Sequence, residues 1–317
     1  MKNKSLFAMV VAAYLKLTTK RKRKVSKDTA RKQLEKVRSR GEKPYQLPSK
    51  IKFDVSIKKD SIQDMEVYDL NYGSKSHQII FYFHGGGYVH RPLKYHWKFV
   101  NRLAKQSQAR IIFPIYPLAP FHEYKEMYEK ILALYKKIIE EIKKEEMILM
   151  GDSAGGGFAL SFYEYLMEHH VTEPSKVILL SPWVDITTSN PKIKDYAKKE
   201  ALVVASTAQV WAEYWVGKDD PKNYMVSPMF YEHLERLKNV AIFVGTSEIL
   251  YPDICEFYQR IMHNENCRLY IAKNMNHVYP LYPIKEAKKA FKQILECIQY
   301  QTEKQETTED SQEFIVA

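Results

Sequence analysis

The feature that most constrains the fold of this chain is a regular alternation between short, continuously apolar runs and longer segments with helical periodicity. The apolar runs lie at residues 78–83, 110–116, 147–150, 176–180, 240–244 and 268–271. Such runs are typical of strands that are buried on both faces. The segments between them predict helices at residues 94–106, 154–169, 253–263 and 285–298. Strands that alternate with helices predict an α/β fold, with a mostly parallel sheet covered by helices on both faces.

A further pair of strands is predicted ahead of these runs. Residues 51–57 alternate between apolar and polar side chains, and residues 65–70 form a second short run. A period of two is typical of a strand with one buried face. The two runs are close enough in sequence to pair, so we predict a β-hairpin there.

The composition narrows the class of protein. With 317 residues, of which 45% are apolar, the chain is long enough to build one large core. Its three cysteines are Cys255, Cys267 and Cys297, and they form no C-x-x-C pair. Their number and spacing encode neither a disulfide framework nor a zinc site, which is typical of a reducing compartment. We therefore expect a cytoplasmic protein.

The net charge of +11 is concentrated near the ends of the chain. Residues 1–50 hold 16 Lys and Arg side chains against three acids, whereas residues 301–317 hold one Lys against five acids. The residues between them carry a net charge of only +2, so we expect the globular body to bind no nucleic acid. The acidic segment 301–317 has the composition of a disordered tail.

Residues 1–50 predict a basic, helical N-terminal segment. An apolar run at residues 6–15 is shorter than the roughly 20 residues that span a bilayer. Three fates remain open for residues 1–26: packing on the body, weak association with an anionic membrane surface, or cleavage as a leader. We favour packing, because Ala30, Leu34 and Val37 form an apolar stripe along the next helix, which is typical of a face that packs on protein.

A long interval interrupts the alternation of strands and helices. Residues 181–239 separate two predicted strands, and a simple crossover needs far fewer residues. Within this interval, Ser206 and Gln209 predict a capping box, and Gly217 predicts the end of the helix that follows. We interpret the interval as an inserted, lid-like element that covers the carboxyl ends of the strands.

The first motif that carries chemistry is Gly151-Asp152-Ser153-Ala154-Gly155. It follows an apolar strand directly and precedes a predicted helix. A nucleophile elbow is a sharp strand-to-helix turn that exposes a serine hydroxyl, and it needs small residues two positions before and after the serine. The sequence therefore predicts Ser153 as a nucleophile.

A glycine-rich turn follows another apolar strand, in the sequence His84-Gly85-Gly86-Gly87. Backbone amides in such a turn can converge on the negative oxygen of a tetrahedral intermediate, where a Cβ atom would block approach. We predict an oxyanion hole from the amides of Gly85, Gly86 and Gly87 together with that of Ala154, while His84 has a structural role.

The partners of the serine follow from their order along the chain. His277 comes after the last predicted strand, where an imidazole can take the serine proton and return it to the leaving group. Two carboxylates compete for the role of orienting His277: Glu248 follows the strand at residues 240–244, and Asp253 lies five residues later. We favour Glu248, because Asp253 fits the first turn of the next helix.

Taken together, these motifs resemble those of the hormone-sensitive-lipase-like branch of the α/β hydrolases, which includes bacterial carboxylesterases and acetyl esterases. The resemblance covers nearly the whole chain, and its most specific parts are the H-G-G-G, G-D-S-A-G and M-x-H motifs at residues 84–87, 151–155 and 275–277. The sequence departs from the family at Glu248, where Asp is usual.

The resemblance implies a domain organisation and a pocket. It implies a catalytic α/β-hydrolase domain over residues 51–300, whose sixth core strand is followed by a cap insertion at about 183–236. Residues 1–50 would complete the cap. The family's cap confines the acyl pocket, for which Tyr88, Trp211 and Trp215 are candidate lining residues.

We therefore expect a serine esterase that hydrolyses small, uncharged, short-chain esters through Ser153, His277 and Glu248, without a metal or other cofactor. An amidase or peptidase would use the same triad, and a non-catalytic protein that binds a partner or a membrane surface is the alternative from another class. We expect a monomer or a homodimer, with a small-molecule ester as its partner.

Overall fold

The computed structural model describes Ser5 and residues 8–11, 13–14, 25–141 and 146–300. The strands are β1 (Ile57–Ile62), β2 (Met65–Leu70), β3 (Gln78–Phe83), β4 (Arg110–Pro114), β5 (Glu146–Asp152), β6 (Lys176–Leu180), β7 (Val240–Gly245) and β8 (Arg268–Ala272). The helices are α1 (Lys27–Arg38), α2 (Lys94–Ser107), α3 (Tyr124–Glu141), α4 (Ala154–Glu168), α5 (Ile193–Ala197), α6 (Ala205–Val216), α7 (Tyr251–Ile261) and α8 (Lys285–Gln299).

The strands form one sheet in the order β1-β2-β4-β3-β5-β6-β7-β8. The pairs from β4 to β8 are parallel, and β2 is antiparallel to both of its neighbours. All six apolar runs form strands, and the predicted α/β class is confirmed. Apolar side chains of α3, α4 and α7 pack on one face of the sheet, and those of α2 and α8 pack on the other.

The register of the parallel strands brings the predicted motifs to one edge of the sheet. Phe83, the last residue of β3, pairs with Gly151 of β5, so the glycine turn after β3 lies beside the serine turn after β5. The carboxyl ends of β6, β7 and β8 continue the same edge. Ligands of open α/β sheets bind at this edge.

The predicted strand at residues 51–57 was wrong, because β1 starts only at Ile57. The apolar side chains of residues 51–57 do pack against the core, which explains the alternation in the sequence. Their backbone forms no ladder there; the amide of Asp54 instead donates to Oδ1 of Asn101 at 2.8 Å. The hairpin forms between β1 and β2, across a turn at Gln63 and Asp64, both with positive φ.

Helix α1 packs on α6, which lies in the interval between β6 and β7. Ala30 and Leu34 are buried at this contact, whereas Val37, which was predicted to share their stripe, is 45% exposed. The guanidinium of Arg31 lies 2.8 Å from the carboxylate of Glu213 on α6. The contact therefore joins the N-terminal segment to the interval between β6 and β7.

The start of α6 differs from the prediction. The helix begins at Ala205, so Ser206 lies in its first turn and forms no capping box; its hydroxyl donates to the carbonyl of Val25 at 3.1 Å. The serine at this position thus bonds to the N-terminal segment instead of the helix backbone. Gly217 ends the helix as predicted, with φ of 67°.

The described part of the first 24 residues also touches the body. The backbone amide and the hydroxyl of Ser5 donate to the carboxylate of Glu286 at 2.7 and 2.8 Å, and Ala8 is buried. The remaining predictions for residues 1–26, and that for the acidic tail, lie outside the described residues. Among the residues that the structure describes, we find no helix with the length and apolar character that a membrane crossing requires.

Candidate active site

Ser153 lies at the turn between β5 and α4, with φ of 54° and ψ of −121°. This conformation is rare for a residue with a side chain. The turn is held close to β3 by its glycines: a Cβ atom on Gly155 would lie 2.1 Å from the carbonyl oxygen of Phe83, and one on Gly151 would lie 2.3 Å from that of Gly155. The sharp strand-to-helix turn of a nucleophile elbow is therefore present, as the spacing predicted.

His277 reaches Ser153 from the loop after β8. Its Nε2 atom lies 2.8 Å from the Oγ atom of Ser153, although 124 residues separate the two along the chain. The loop is held in place at the next residue, because the amide of Val278 donates to the hydroxyl of Ser181 at 3.0 Å. The structure thus brings the predicted serine and histidine within hydrogen-bond distance.

Glu248 lies on the other side of the imidazole. Its Oε2 atom is 3.6 Å from Nδ1 of His277 and accepts a hydrogen bond from the hydroxyl of Ser181 at 2.9 Å. Burial raises the pKa of Glu248, although His277 and Ser181 act in the opposite direction. Burial alone would lower the pKa of His277, but the carboxylate of Glu248 outweighs it and the net effect is a raised pKa.

The competing acid, Asp253, is buried in the first turn of α7. Burial raises its pKa to about 7, and the groups that act on it are Asn190, Asp185 and Glu256. The carboxylate within ion-pair distance of His277 is that of Glu248.

The glycine turn has the backbone that an oxyanion hole requires, with one change from the prediction. Gly86 and Gly87 have φ values of 130° and 62°, which side chains rarely adopt. The amide of Gly85, which was predicted to face the oxyanion, instead donates to Oδ1 of Asp152 at 3.0 Å. This leaves the amides of Gly86, Gly87 and Ala154 as the candidate donors.

A buried polar network centred on Asp152 holds the glycine turn through Gly85. Asp152 accepts a hydrogen bond from the hydroxyl of Tyr82 at 2.9 Å, and its second oxygen lies 3.4 Å from Nε2 of His96. Burial opposes the charge of Asp152, but His96, Tyr82 and Gly85 outweigh it and lower its pKa. Neither Tyr82 nor His96 stands in a motif, so neither was predicted from the sequence.

His84 is held as a neutral, structural side chain. It stacks on Tyr116 with ring centroids 4.2 Å apart, and its Nδ1 atom lies 2.7 Å from the carbonyl oxygen of Gly85. Burial lowers the pKa of His84 to about 3. An imidazole with this pKa is a poor general base at neutral pH.

The three candidate pocket residues lie in two different environments. Tyr88 stacks on Trp215 with ring centroids 4.4 Å apart, and its hydroxyl donates to the carbonyl of Ala154 at 2.7 Å. Both rings are buried. Trp211 is half-buried and packs directly on the glycine turn, since a Cβ atom on Gly87 would lie 2.3 Å from its ring.

A mixed sheet in this strand order, with a serine turn after its fifth strand and a histidine after its last, defines the α/β-hydrolase class. A sequence model for a family described as the alpha/beta hydrolase fold matches residues 80–281. The chain belongs to this family.

Individual relatives agree with that assignment. An esterase from Acinetobacter venetianus is 32% identical over 185 residues, which cover 58% of this chain and 61% of the esterase. An acetyl-hydrolase from Streptomyces hygroscopicus is 25% identical over 177 residues, which cover 56% of this chain and 59% of the relative. The chain thus spans about three fifths of these two relatives.

A solved structure extends the likeness to almost the whole fold. The crystal structure of a hormone-sensitive lipase from a metagenome library is 25% identical in sequence and superimposes with a TM-score of 0.76. The match covers 94% of this chain and 98% of that one.

Proposed function

We propose that this protein is a serine esterase that hydrolyses small, uncharged, short-chain carboxylic esters through Ser153, His277 and Glu248. The observation that carries the proposal is the 2.8 Å contact between Oγ of Ser153 and Nε2 of His277, at the edge of the sheet formed by the carboxyl ends of its parallel strands. The names of the relatives, esterase and acetyl-hydrolase, support the same reaction.

In the first half of the reaction, Oγ of Ser153 attacks the ester carbonyl while Nε2 of His277 takes its proton. The carbonyl oxygen becomes an oxyanion, and the amides of Gly86, Gly87 and Ala154 stabilise it. When the tetrahedral intermediate collapses, the alcohol leaves with the proton from His277, and an acyl-enzyme remains on Ser153.

In the second half, water attacks the acyl-enzyme with His277 again as the base, and the acid product leaves Ser153 free. Glu248 holds the proton on Nδ1 and stabilises the imidazolium that forms twice in each cycle. The side chain of His277 is buried, yet its pKa is raised, because the carboxylate of Glu248 favours the imidazolium. This fits the proposed role of Glu248.

The cap and the acyl pocket complete the proposal. We assign the cap to residues 1–50 together with the insertion at about 183–236, and the catalytic domain to residues 51–300. The packing of α1 on α6 supports this division. The hydroxyl of Tyr88 bonds to Ala154, and the ring of Trp215 stacks on that of Tyr88, which supports a pocket for short acyl groups.

The test is hydrolysis of p-nitrophenyl acetate by the wild type and by Ser153→Ala. We expect kcat/KM to fall by about 10³-fold or more, because the nucleophile is lost. Ser161→Ala is the matched control, since Ser161 is a buried serine of α4, the helix that follows the turn, and its hydroxyl contacts that of Tyr128. Equal, slow hydrolysis by the wild type and Ser153→Ala would leave only a non-catalytic role for the fold.

A comparison of an amide substrate with an ester substrate distinguishes an esterase from an amidase or peptidase. Hydrolysis of p-nitroacetanilide, which carries the same acyl group on an amide, is measured beside p-nitrophenyl acetate. An esterase should prefer the ester far beyond the ratio of the two uncatalysed rates, whereas a comparable acceleration of the amide would favour an amidase.

A further inference from the structure

A second buried carboxylate joins the insertion to the loop that carries Glu248. Glu200 lies just after α5 and is 1% exposed. Its Oε1 atom accepts hydrogen bonds from the amides of Ala201 and Leu202, each at 2.7 Å. Its Oε2 atom accepts one from the amide of Ile249 at 3.0 Å, and Ile249 directly follows Glu248.

We propose that Glu200 is a positioning residue of the triad: it holds the Glu248 loop against His277 and places a second negative charge near the imidazolium that forms during the reaction. This inference rests on the proposed function, because it assigns Glu200 a part in the reaction of Ser153. It concerns a residue that stands in none of the catalytic motifs.

The position of the Glu248 carboxylate depends on the backbone that carries it. The hydrogen bond from the amide of Ile249 to Glu200, which we call the clamp, fixes that backbone. A glutamate side chain has more rotatable bonds than an aspartate, so more freedom must be lost to hold its carboxylate at the imidazole. Within the described residues, Oε1 of Glu248 has no hydrogen-bond partner, and Oε2 lies 3.6 Å from Nδ1 of His277. A small shift of the loop would therefore separate acid and base.

The charge of Glu200 acts on the same pair. Burial lowers the pKa of His277, whereas the carboxylates of Glu248, Glu200 and Asp152 each raise it, and the net effect is a raised pKa. Glu200 also raises the pKa of Glu248. The nearby phenol of Tyr282 is neutral, because burial raises its pKa well above the usual value. Glu200 thus favours the imidazolium in addition to Glu248.

Two substitutions separate the clamp from the charge. Glu200→Gln keeps the length of the side chain and removes the charge, so we expect the acid limb of the kcat/KM profile to move to lower pH, because His277 loses a group that raises its pKa. The glutamine keeps only one acceptor oxygen, so some of the bonds to Ala201, Leu202 and Ile249 are also lost, and the position of the acid limb is therefore the readout for the charge in this variant. Glu200→Asp keeps the charge and shortens the side chain, so we expect kcat to fall by about tenfold or more, because the bond to Ile249 is lost. In that variant the acid limb stays near its wild-type position.

The control is Asp185→Asn, which neutralises another buried carboxylate of the insertion that bonds to the backbone at Thr187. We expect it to leave the acid limb in place. A purely structural role for Glu200 would instead lower stability and the amount of active enzyme in both variants without moving the profile of Glu200→Gln, and that result would overturn the proposal.

An NMR titration of the His277 ring keeps this test independent of turnover. The signal is assigned by its loss in His277→Asn, and its pKa should be lower in Glu200→Gln than in the wild type. If no Ser153-dependent hydrolysis is found, the proposed function fails, while the titration still decides the effect of Glu200 on His277. If the pKa of His277 is unchanged in folded Glu200→Gln, the proposed effect of the Glu200 charge is wrong. If kcat is unchanged in Glu200→Asp, the proposed role of the hydrogen bond to Ile249 is wrong. If Glu200→Gln does not fold, the role of the charge is withdrawn, and Glu200→Asp decides the role of the hydrogen bond to Ile249.

Discussion

At the scale of single residues, the turn at Ser153 shows how an unfavourable backbone conformation is maintained. A non-glycine residue in a sparsely populated region costs about 1–3 kcal/mol. Here the surrounding bonds fix the turn: the amide of Ser153 donates to Leu180 at 2.9 Å, and its carbonyl accepts from Gly157 at 3.0 Å and Trp183 at 2.9 Å. The hydroxyl is therefore placed by the backbone, and does not depend on its own rotamer alone.

The identity of the triad acid gives a prediction at this scale. Glu248→Gln should lower kcat for p-nitrophenyl acetate by about 10³- to 10⁴-fold, because the amide cannot stabilise the imidazolium and favours the wrong tautomer. Asp253→Asn should leave kcat within about twofold, since its buried carboxyl is acted on by residues other than His277. The reverse order of effects would assign the role to Asp253.

At the scale of elements, α6 connects the N-terminal segment to the glycine turn. Its outer side carries Glu213, which pairs with Arg31 of α1. Its inner side places Trp211 on Gly87 and Trp215 on Tyr88. A change in this helix should therefore alter the shape of the site without altering the triad.

The acyl-chain preference tests that idea. Trp215→Leu removes the ring that stacks on Tyr88 and makes room beside Tyr88. We expect the ratio of kcat/KM for p-nitrophenyl hexanoate to that for the acetate to rise about tenfold or more, because each methylene that fits a pocket is worth about 1–3 kcal/mol.

The matched control is Trp97→Leu, which opens a comparable space in the other core layer, on the far face of the sheet from Trp215. It should lower stability and leave the ratio unchanged. A similar change of the ratio in both variants would show that Trp215 does not shape the acyl pocket.

Sequence patterns predicted these elements unequally, for physical reasons. A strand that is buried on both faces leaves an unambiguous apolar run, so β3 and β6 were predicted at their observed bounds. The alternation at residues 51–57 indicates only that every second side chain is partly buried. A segment that packs on the core without a partner strand has the same pattern. Serine is a common N-cap residue, but the hydroxyl of Ser206 donates to the distant carbonyl of Val25 instead of capping the helix.

The candidate site divides in the same way. Ser153 and His277 could be found because the turns that carry them need particular neighbours at fixed spacing, which leaves a motif. Glu200 and His96 act through single contacts with distant loops. Such contacts impose no local pattern, so only the folded chain brings these residues to the site.

At the scale of the whole molecule, a buried acid outside the site should limit stability at high pH. Glu164 on α4 is fully buried, and neither of its carboxyl oxygens has a hydrogen-bond partner among the described residues. Burial raises its pKa well above the ordinary value, although Arg260 acts in the opposite direction. The folded state thus keeps a proton that the unfolded chain releases, so stability falls as the pH rises above the unfolded pKa.

Glu164→Gln should therefore raise the free energy of unfolding at pH 8 and have a much smaller effect at pH 4.5, as measured by urea unfolding at both values. Glu168→Gln, one turn further along the helix, is the control. Its carboxylate accepts a hydrogen bond from Tyr231, and this bond lowers its pKa, so we expect no gain at pH 8. Equal gains from Glu164→Gln at both pH values would point to packing instead of ionisation.

The pairing of α1 with α6 also has a consequence for synthesis on the ribosome. Arg31 and Glu213 stand 182 residues apart, and translation adds about 5–20 residues each second, so α1 emerges roughly 10–40 s before its binding surface exists. Throughout that delay the nascent helix must stay unattached, and its many lysines and arginines keep it hydrated. We therefore expect α1 to dock on this side of the molecule only after α6 has been made.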